Sequence, residues 1–193
     1  MDTVIIPTRF KGPPKSANGG YVCGLMARRI AGDAAASLKI PPPLDTPIAL
    51  AESEDAVEMH IDDRLLGRAQ AAELDLDVPP LPEPLRLGGD PVDAPGRPKK
   101  FAPFSTCFVC GKDRTHPDGL CIHPRQVEGN DVMVAAPWRL HAGLADDSGF
   151  VATEYLWAAL DCPGYFACAP GEPALLARLT VSILAPLTTE GDA

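Results

Sequence analysis

Apolar residues in the first third of the chain recur first at helical spacing and then at alternate positions. Between Tyr21 and Ile30 they stand three and four residues apart, which predicts one face of a helix. Ser16 or Asn18 can cap the start of this helix, and Gly32-Asp33 follows its end. Four runs with the length and alternation of strands come next, at residues 35–40, 46–52, 56–61 and 64–74.

The rest of the chain predicts a second helix among further strands. Prolines, acidic residues and glycines crowd the segment from Asp75 to Lys100, which excludes a long helix or strand there. Runs at 119–124 and 131–138 look like strands. Apolar positions from Val151 to Cys162 predict a helix, and the alternation from Ala177 to Leu184 predicts a final strand. We therefore expect a first half over residues 1–76, a linker over 77–100 and a second half over 101–193.

A short pattern occurs in both halves. Residues 36–40 (Ala-Ser-Leu-Lys-Ile) and 179–183 (Leu-Thr-Val-Ser-Ile) alternate alike, and each run precedes a Pro-Leu pair, at 43–44 and at 186–187. The offset is 143 residues for both features, and each run follows a predicted helix. A chance match is an alternative, because alternating strands that end in proline are common. The shared order of elements favours two copies of one unit.

The second copy is expected to be shorter than the first. Only residues 186–193 follow Ala185, whereas the first copy continues through about three more predicted strands. An incomplete sheet leaves an edge that can pair with another chain. We expect either strands from a partner, as in a homodimer or another homo-oligomer, or a shortened member of a longer family.

Charge and composition exclude several classes of function. The net charge is −9 and the lysines and arginines are scattered, without the basic stripe of proteins that bind nucleic acid. The N-terminus lacks a secretory signal pattern, and no apolar run approaches the ~20 residues of a membrane span. We therefore expect a globular, cytoplasmic protein without nucleic-acid or membrane partners, whose six cysteines are thiols.

Several motifs resemble the hotdog-fold acyl-CoA thioesterases. Cys107-Phe108-Val109-Cys110-Gly111, followed by Asp118-Gly119-Leu120-Cys121-Ile122, resembles the opening strand region of the phenylacetate-pathway type. Residues 138–141 (Trp-Arg-Leu-His) and 150–161 (Phe-Val-Ala-Thr-Glu-Tyr-Leu-Trp-Ala-Ala-Leu-Asp) match that family's aromatic loop and following helix. Asn18-Gly19-Gly20-Tyr21 resembles the helix start of double-hotdog thioesterases. The resemblance covers most of the chain and implies an α+β fold with two tandem hotdog copies, each a long helix wrapped by an antiparallel sheet, the second truncated.

The resemblance also implies where the chemistry lies. Asp161 aligns with the family's catalytic carboxylate, which acts as a general base on water or as a nucleophile. The family's His-Gly-Gly is replaced by Ala152-Thr153-Glu154, which makes Glu154 a second, displaced candidate. Glycines at the first helix start can bring backbone N–H groups to the thioester carbonyl. The residues expected to contact substrate are Asn18, Gly19, Gly20, Tyr21 and Trp157.

Each site residue also has a purely structural interpretation. Asp161 precedes Cys162-Pro163-Gly164 and can close its helix through turn chemistry. Asn18-Gly19-Gly20 can be no more than a cap and a tight turn, and Glu154 can be a solvated helix residue.

Cys107 and Cys110 have the spacing of a zinc knuckle, and His116, Cys121 and His123 follow closely. The other spacings fit no zinc-finger pattern, and the family resemblance accounts for the pair without metal. We therefore predict thiols at these positions and no metal site.

Three functions follow from the sequence. The first is a thioesterase-like hydrolase that binds acyl-CoA between its two helices, with Asp161 activating water and coenzyme A entering as part of the substrate, not as a cofactor. The second is a non-catalytic acyl-thioester binding or assembly protein on the same fold, because the second helix start lacks the His-Gly-Gly. The third is a zinc-dependent interaction module.

Overall fold

The computed structural model describes residues 2–88, 104–169 and 172–189. It has an α+β fold, in which two helices pack against each other and the first also packs on an antiparallel sheet. The helices are α1 (Gly19–Ala27) and α2 (Thr153–Cys168). The strands are β1 (Asp2–Ile5), β2 (Ala34–Leu38), β3 (Pro47–Glu52), β4 (Ala56–Ile61), β5 (Arg64–Ala71), β6 (Arg125–Val127), β7 (Asn130–Ala135) and β8 (Arg178–Val181).

Six strands form one sheet in the order β1-β3-β4-β5-β2-β8, and every neighbouring pair in it is antiparallel. Strands β3, β4 and β5 follow one another through short turns, which antiparallel pairing permits. Strands β6 and β7 form a separate two-stranded sheet. The larger sheet therefore combines five strands from before residue 77 with one strand from the end of the chain.

Strand β8 pairs with β2 at one edge of the larger sheet. Ala36 lies opposite Leu179, and Ala34 lies opposite Val181. Beyond the paired strands, Leu38 donates its backbone N–H to the Ala177 carbonyl at 2.9 Å. The repeated sequence pattern also equates Ala36 with Leu179, because the offset of the repeat is 143 residues and these two residues stand 143 positions apart.

Helix α1 is a core helix, since all but the first of its residues are buried. Asn18 caps it by accepting the Tyr21 backbone N–H at 2.9 Å. One side of α1 meets β2, β4 and β5, and another side meets α2. Glycines make the close approach of the two helices possible: a Cβ at Gly20 would stand 2.5 Å from the Trp157 carbonyl oxygen, and one at Gly24 would stand 2.5 Å from Glu154 Cα.

The predicted helices and most predicted strands are confirmed. The first helix is shifted toward its cap, and the strands predicted over 35–40, 46–52, 56–61 and 64–74 are β2 to β5. The runs at 131–138 and 177–184 contain β7 and β8. Helix α2 runs six residues past its predicted end at Cys162, to Cys168, with Pro163 inside it. A proline removes one helical hydrogen bond but does not have to end a helix whose neighbours support it.

The strand predicted over 119–124 is wrong. Cys121 has a φ of 53°, a left-handed backbone conformation that interrupts an extended run. Leu120 and Ile122 instead donate their backbone N–H groups to the carbonyls of Phe108 and Val109, both at 2.9 Å, so the segment lies along the cysteine-containing loop. The strand in this region, β6, begins only at Arg125. Strand β1, a largely exposed edge strand, was not predicted.

The division into two halves and a linker over 77–100 stays a prediction. Residues 77–88 contain no helix or strand, apart from an isolated bridge between Leu87 and Val127. Residues 89–100 lie outside the described residues. In the part of the chain that is described, neither helix has the length and apolar character needed to cross a bilayer.

Candidate functional site

A cavity of about 530 Å³ lies between the start of α1 and the second half of α2. Its wall is formed by residues of five segments, within 12–19, 38–42, 104–110, 160–169 and 174–179. Most of this wall is apolar, with Ile40, Leu160 and Leu176 among its side chains. The predicted residues Asn18, Gly19 and Asp161 also line it. A mainly apolar cavity with a few converging polar groups is the usual form of a small-molecule site.

Asp161 connects the two helices at this cavity. Its Oδ2 atom accepts hydrogen bonds from the backbone N–H of Gly20 and from Asn18 Nδ2, both at 2.9 Å. Its Oδ1 atom accepts no hydrogen bond from any residue that the structure describes. Asp161 lies inside α2, seven residues before its end, so the interpretation of Asp161 as a helix-closing residue is wrong.

Burial raises the pKa of Asp161 from its ordinary 3.8 to about 6. The hydrogen bond from Gly20 lowers this pKa, the nearby Cys107 raises it, and the hydrogen bond from Asn18 lowers it. The carboxyl group is enclosed, although part of the residue faces the cavity. Burial therefore outweighs the two donors from α1.

The backbone N–H groups in the first turn of α1 differ in their partners. Gly20 donates to Asp161, and Tyr21 donates to the Asn18 side chain. Val22 donates to the Asn18 carbonyl at 3.2 Å. The Gly19 N–H has no acceptor within the described residues, and Gly19 lines the cavity. A carbonyl oxygen in the cavity can accept from this group, beside the positive end of the helix dipole.

Glu154 lies away from this cavity. It forms an ion pair with Arg28, with Nη1 and Oε1 at 3.1 Å. Glu154 and Asp161 are seven residues apart on α2, which separates them by roughly 10 Å along the helix axis. The two predicted catalytic carboxylates therefore do not share one site.

Tyr21 and Trp157 are buried and are not among the residues that line this cavity. Tyr21 stacks on Phe10 with ring centroids 4.1 Å apart. Trp157 contributes its backbone to the contact with Gly20. Both side chains support the helix pair instead of facing the cavity.

Three cysteines form a buried cluster in the wall of the cavity. The sulfur atoms of Cys107, Cys110 and Cys162 all lie within 4.8 Å of one another, and those of Cys107 and Cys162 are 3.8 Å apart. The first two cysteines belong to the loop after residue 104, and Cys162 belongs to α2. Sequence spacing indicated the first pair, but Cys162 is 55 residues from Cys107 and carried no signal.

The pKa values of the three thiols in this cluster are shifted in different directions. Hydrogen bonds from the thiols of Cys110 and Cys162, and from the backbone N–H groups of Cys110 and Val109, hold the pKa of Cys107 far below its ordinary value. The hydrogen bond with Cys107 and burial raise the pKa of Cys110, although the hydrogen bond with Cys162 lowers it. The hydrogen bonds with Cys107 and Cys110 and burial raise the pKa of Cys162.

Two solved structures are similar to this chain. One is a TesB protein from Mycobacterium avium subspecies paratuberculosis, with 16% identity, a TM-score of 0.49, and coverage of 98% of this chain and 76% of that one. The other is a candidate thioesterase from Novosphingobium aromaticivorans, with 13% identity, a TM-score of 0.49, and coverage of 98% and 79%. No family model matches the chain, and no curated protein matches it. Likeness at this level is too distant to transfer residue roles.

Proposed function

We propose that this chain binds an acyl thioester of coenzyme A in the cavity beside Asp161 and hydrolyses it. The observation that carries the proposal is the position of the Asp161 carboxylate. One of its oxygens is fixed by Gly20 and Asn18, and the other has no hydrogen-bond donor among the described residues. A carboxylate held in this way beside an apolar cavity suits a general base for water.

The Gly19 N–H and the Asp161 Oδ1 atom have different roles in the proposed hydrolysis. The thioester carbonyl oxygen accepts from Gly19, where negative charge develops during attack. Asp161 Oδ1 takes a proton from a water molecule as that water attacks the carbonyl carbon. The carbon–sulfur bond then breaks, and the proton passes to the departing thiolate to give the free thiol and the carboxylic acid.

The cavity suits the two chemically different parts of such a substrate. Its apolar lining accepts an acyl chain. Lys39 and Arg178 are exposed, line the cavity and form no ion pair with any described residue. Two free cations at the cavity margin suit the phosphate groups of coenzyme A.

The pairing of β2 with β8 supports two tandem hotdog-type copies. Two copies related by a twofold axis place equivalent residues opposite each other. Ala36 and Leu179 are opposite each other, and the repeated pattern makes them equivalent. Each half also contains one helix, although the offset of 143 carries the start of α1 to Cys162, in the second half of α2. The cavity lies between the start of α1 and that second half of α2.

A panel of acyl-CoA substrates of different chain length tests the hydrolytic activity, with release of coenzyme A followed by a thiol reagent. We expect turnover of at least one chain length. If no chain length gives thiol release above the uncatalysed rate, hydrolysis is excluded.

A second candidate function is binding of the thioester without turnover. It is favoured by one observation: the hydrogen bond from Gly20 to Asp161 joins the helices and is therefore also a structural contact. Calorimetry with a thioether analogue of acyl-CoA separates the two functions. Binding of the analogue together with no turnover of the matching thioester supports the binder.

A further inference from the structure

The distance between the sulfur atoms of Cys107 and Cys162 can be compared with the distances in a zinc site and in a disulfide. Zinc binds thiolate sulfur at about 2.3 Å in tetrahedral geometry, which places two sulfur ligands about 3.8 Å apart. The observed separation is 3.8 Å. A disulfide would require about 2.05 Å. The spacing excludes a covalent bond, and it suits two ligands of one tetrahedral ion as well as a thiol–thiol hydrogen bond.

The loop from Cys107 to Gly111 is built like a metal-binding knuckle. Cys107 and Cys110 have the two-residue separation of such a knuckle. Gly111 donates its N–H to the Cys107 carbonyl at 2.9 Å. A Cβ at Gly111 would lie 2.5 Å from that carbonyl oxygen, so the turn needs glycine at this position. The turn that carries Cys107 and Cys110 is thus held by its own backbone.

The third sulfur comes from a different element. Cys162 lies on α2, and the loop that carries Cys107 is attached near the start of α1 through a 2.7 Å hydrogen bond from Phe108 N–H to the Lys11 carbonyl. All three cysteines are buried. Three sulfur ligands brought together from a loop and a helix form a preorganised site, because the fold has already placed them.

We propose that Cys107, Cys110 and Cys162 bind one zinc ion, with the fourth coordination position directed to the cavity. Sulfur ligands select zinc over magnesium or calcium, which prefer oxygen. Among the described residues, no further cysteine, histidine or carboxylate has a ligand atom within 4.8 Å of all three sulfur atoms. All three cysteines line the cavity, so a water molecule there completes the tetrahedron.

Metal analysis of the purified protein tests the site without any activity assay, so its result is independent of the proposed hydrolysis. The full chain is purified under reducing conditions, loaded with zinc and desalted, and its zinc is measured by mass spectrometry. We expect about one zinc per chain in the unmodified protein, and less than about a tenth of that in Cys107→Ser and in Cys162→Ser.

Cys121→Ser is the matched control, because Cys121 is a partly buried thiol outside the cluster. It should retain the zinc of the unmodified protein. Absence of zinc from the loaded, unmodified protein overturns the proposal. Zinc that persists in both cluster variants also overturns it, since the ion then binds elsewhere.

A measurement on the unmodified protein decides the question if the cluster variants do not fold. Cobalt(II) in place of zinc should give the charge-transfer absorption of thiolate ligands and the strong visible bands of a four-coordinate ion. A chelator should abolish these bands and lower the unfolding temperature, because bound metal stabilises the folded state. Loaded protein without the thiolate absorption overturns the site.

Discussion

Gly20 donates its backbone N–H to Asp161 at 2.9 Å, across two helices whose residues stand 141 positions apart in the chain. The bond forms because Gly20 has no Cβ: one placed there would meet the Trp157 carbonyl oxygen at 2.5 Å and Asp161 Cβ at 2.7 Å. The same contact orients the carboxylate at the cavity. The close packing of α1 on α2 and the placement of the catalytic candidate are therefore one structural feature.

Replacing Asp161 with asparagine should abolish hydrolysis without unfolding the protein. The amide side chain of Asp161→Asn keeps an oxygen that can accept from Gly20, but it cannot take a proton from water. We expect kcat for acyl-CoA to fall about 10²- to 10⁴-fold, measured by thiol release. Asp147→Asn removes an exposed carboxylate and should leave kcat unchanged. An unchanged kcat in Asp161→Asn would remove Asp161 from the mechanism.

Adding one methyl group at Gly20 should destabilise the protein. Gly20→Ala forces α1 and α2 apart where backbone atoms already touch, and we expect a loss of about 1–3 kcal/mol in the free energy of unfolding. Gly164→Ala is the matched control, because it adds the same methyl within α2 where nothing lies within 4 Å. This control should gain up to about 1 kcal/mol from helix propensity. Equal effects in denaturant titrations would contradict the close helix contact.

Lys39 and Arg178 should determine affinity for the coenzyme A part of the substrate. We expect Lys39→Ala and Arg178→Ala each to raise KM for acyl-CoA by about 3- to 10-fold with little change in kcat, because a cation–phosphate contact persists from ground state to transition state. Lys15→Ala removes an exposed cation that does not line the cavity and serves as the control.

A second substrate makes this test specific to phosphate. Acyl thioesters of N-acetylcysteamine lack the nucleotide and its phosphates, so their KM should be the same in all three variants. A rise in KM for these short substrates would instead indicate a disturbed cavity.

Glu154 should contribute to stability and not to catalysis. It pairs with Arg28, whose side chain is 42% exposed, and solvent weakens such a pair. We expect Glu154→Gln to lower the free energy of unfolding by less than about 1 kcal/mol and to leave kcat within about twofold. A double-mutant cycle with Arg28→Met measures the pair energy. A loss of activity comparable to that of Asp161→Asn would make Glu154 a catalytic residue, as its place in the sequence first suggested.

The elements that follow local rules were predictable from the sequence. The helical spacing after Asn18, the alternating runs that became β2 to β5, and the strand-like run around Leu179 all reflect periodicities that neighbouring residues create. Asn18 could be recognised as a cap because capping involves residues three positions apart. The family resemblance also indicated Asp161 as a candidate catalytic residue, since the family's carboxylate has a fixed position relative to the start of its helix.

The failures have a common cause. The segment 119–124 alternates like a strand, but its N–H groups bond to the cysteine loop and Cys121 adopts a left-handed conformation. Strand β1 gave no local signal because pairing with β3 supplies its stability. The catalytic roles of Glu154 and Asp161 stay predictions, and only the tertiary structure shows their different partners, Arg28 and Gly20.

The sequence by itself determined both helices, the strands β2 to β5, the cap of α1, and the cysteine pair in its knuckle spacing, because each depends on residues close together in the chain. Only the tertiary structure decided that Asp161 faces the start of α1, that β8 extends the first sheet, and that Cys162 joins Cys107 and Cys110. These contacts join residues more than fifty positions apart. Local sequence patterns relate only neighbouring residues, so they cannot show which distant residues the packing of the two helices brings together.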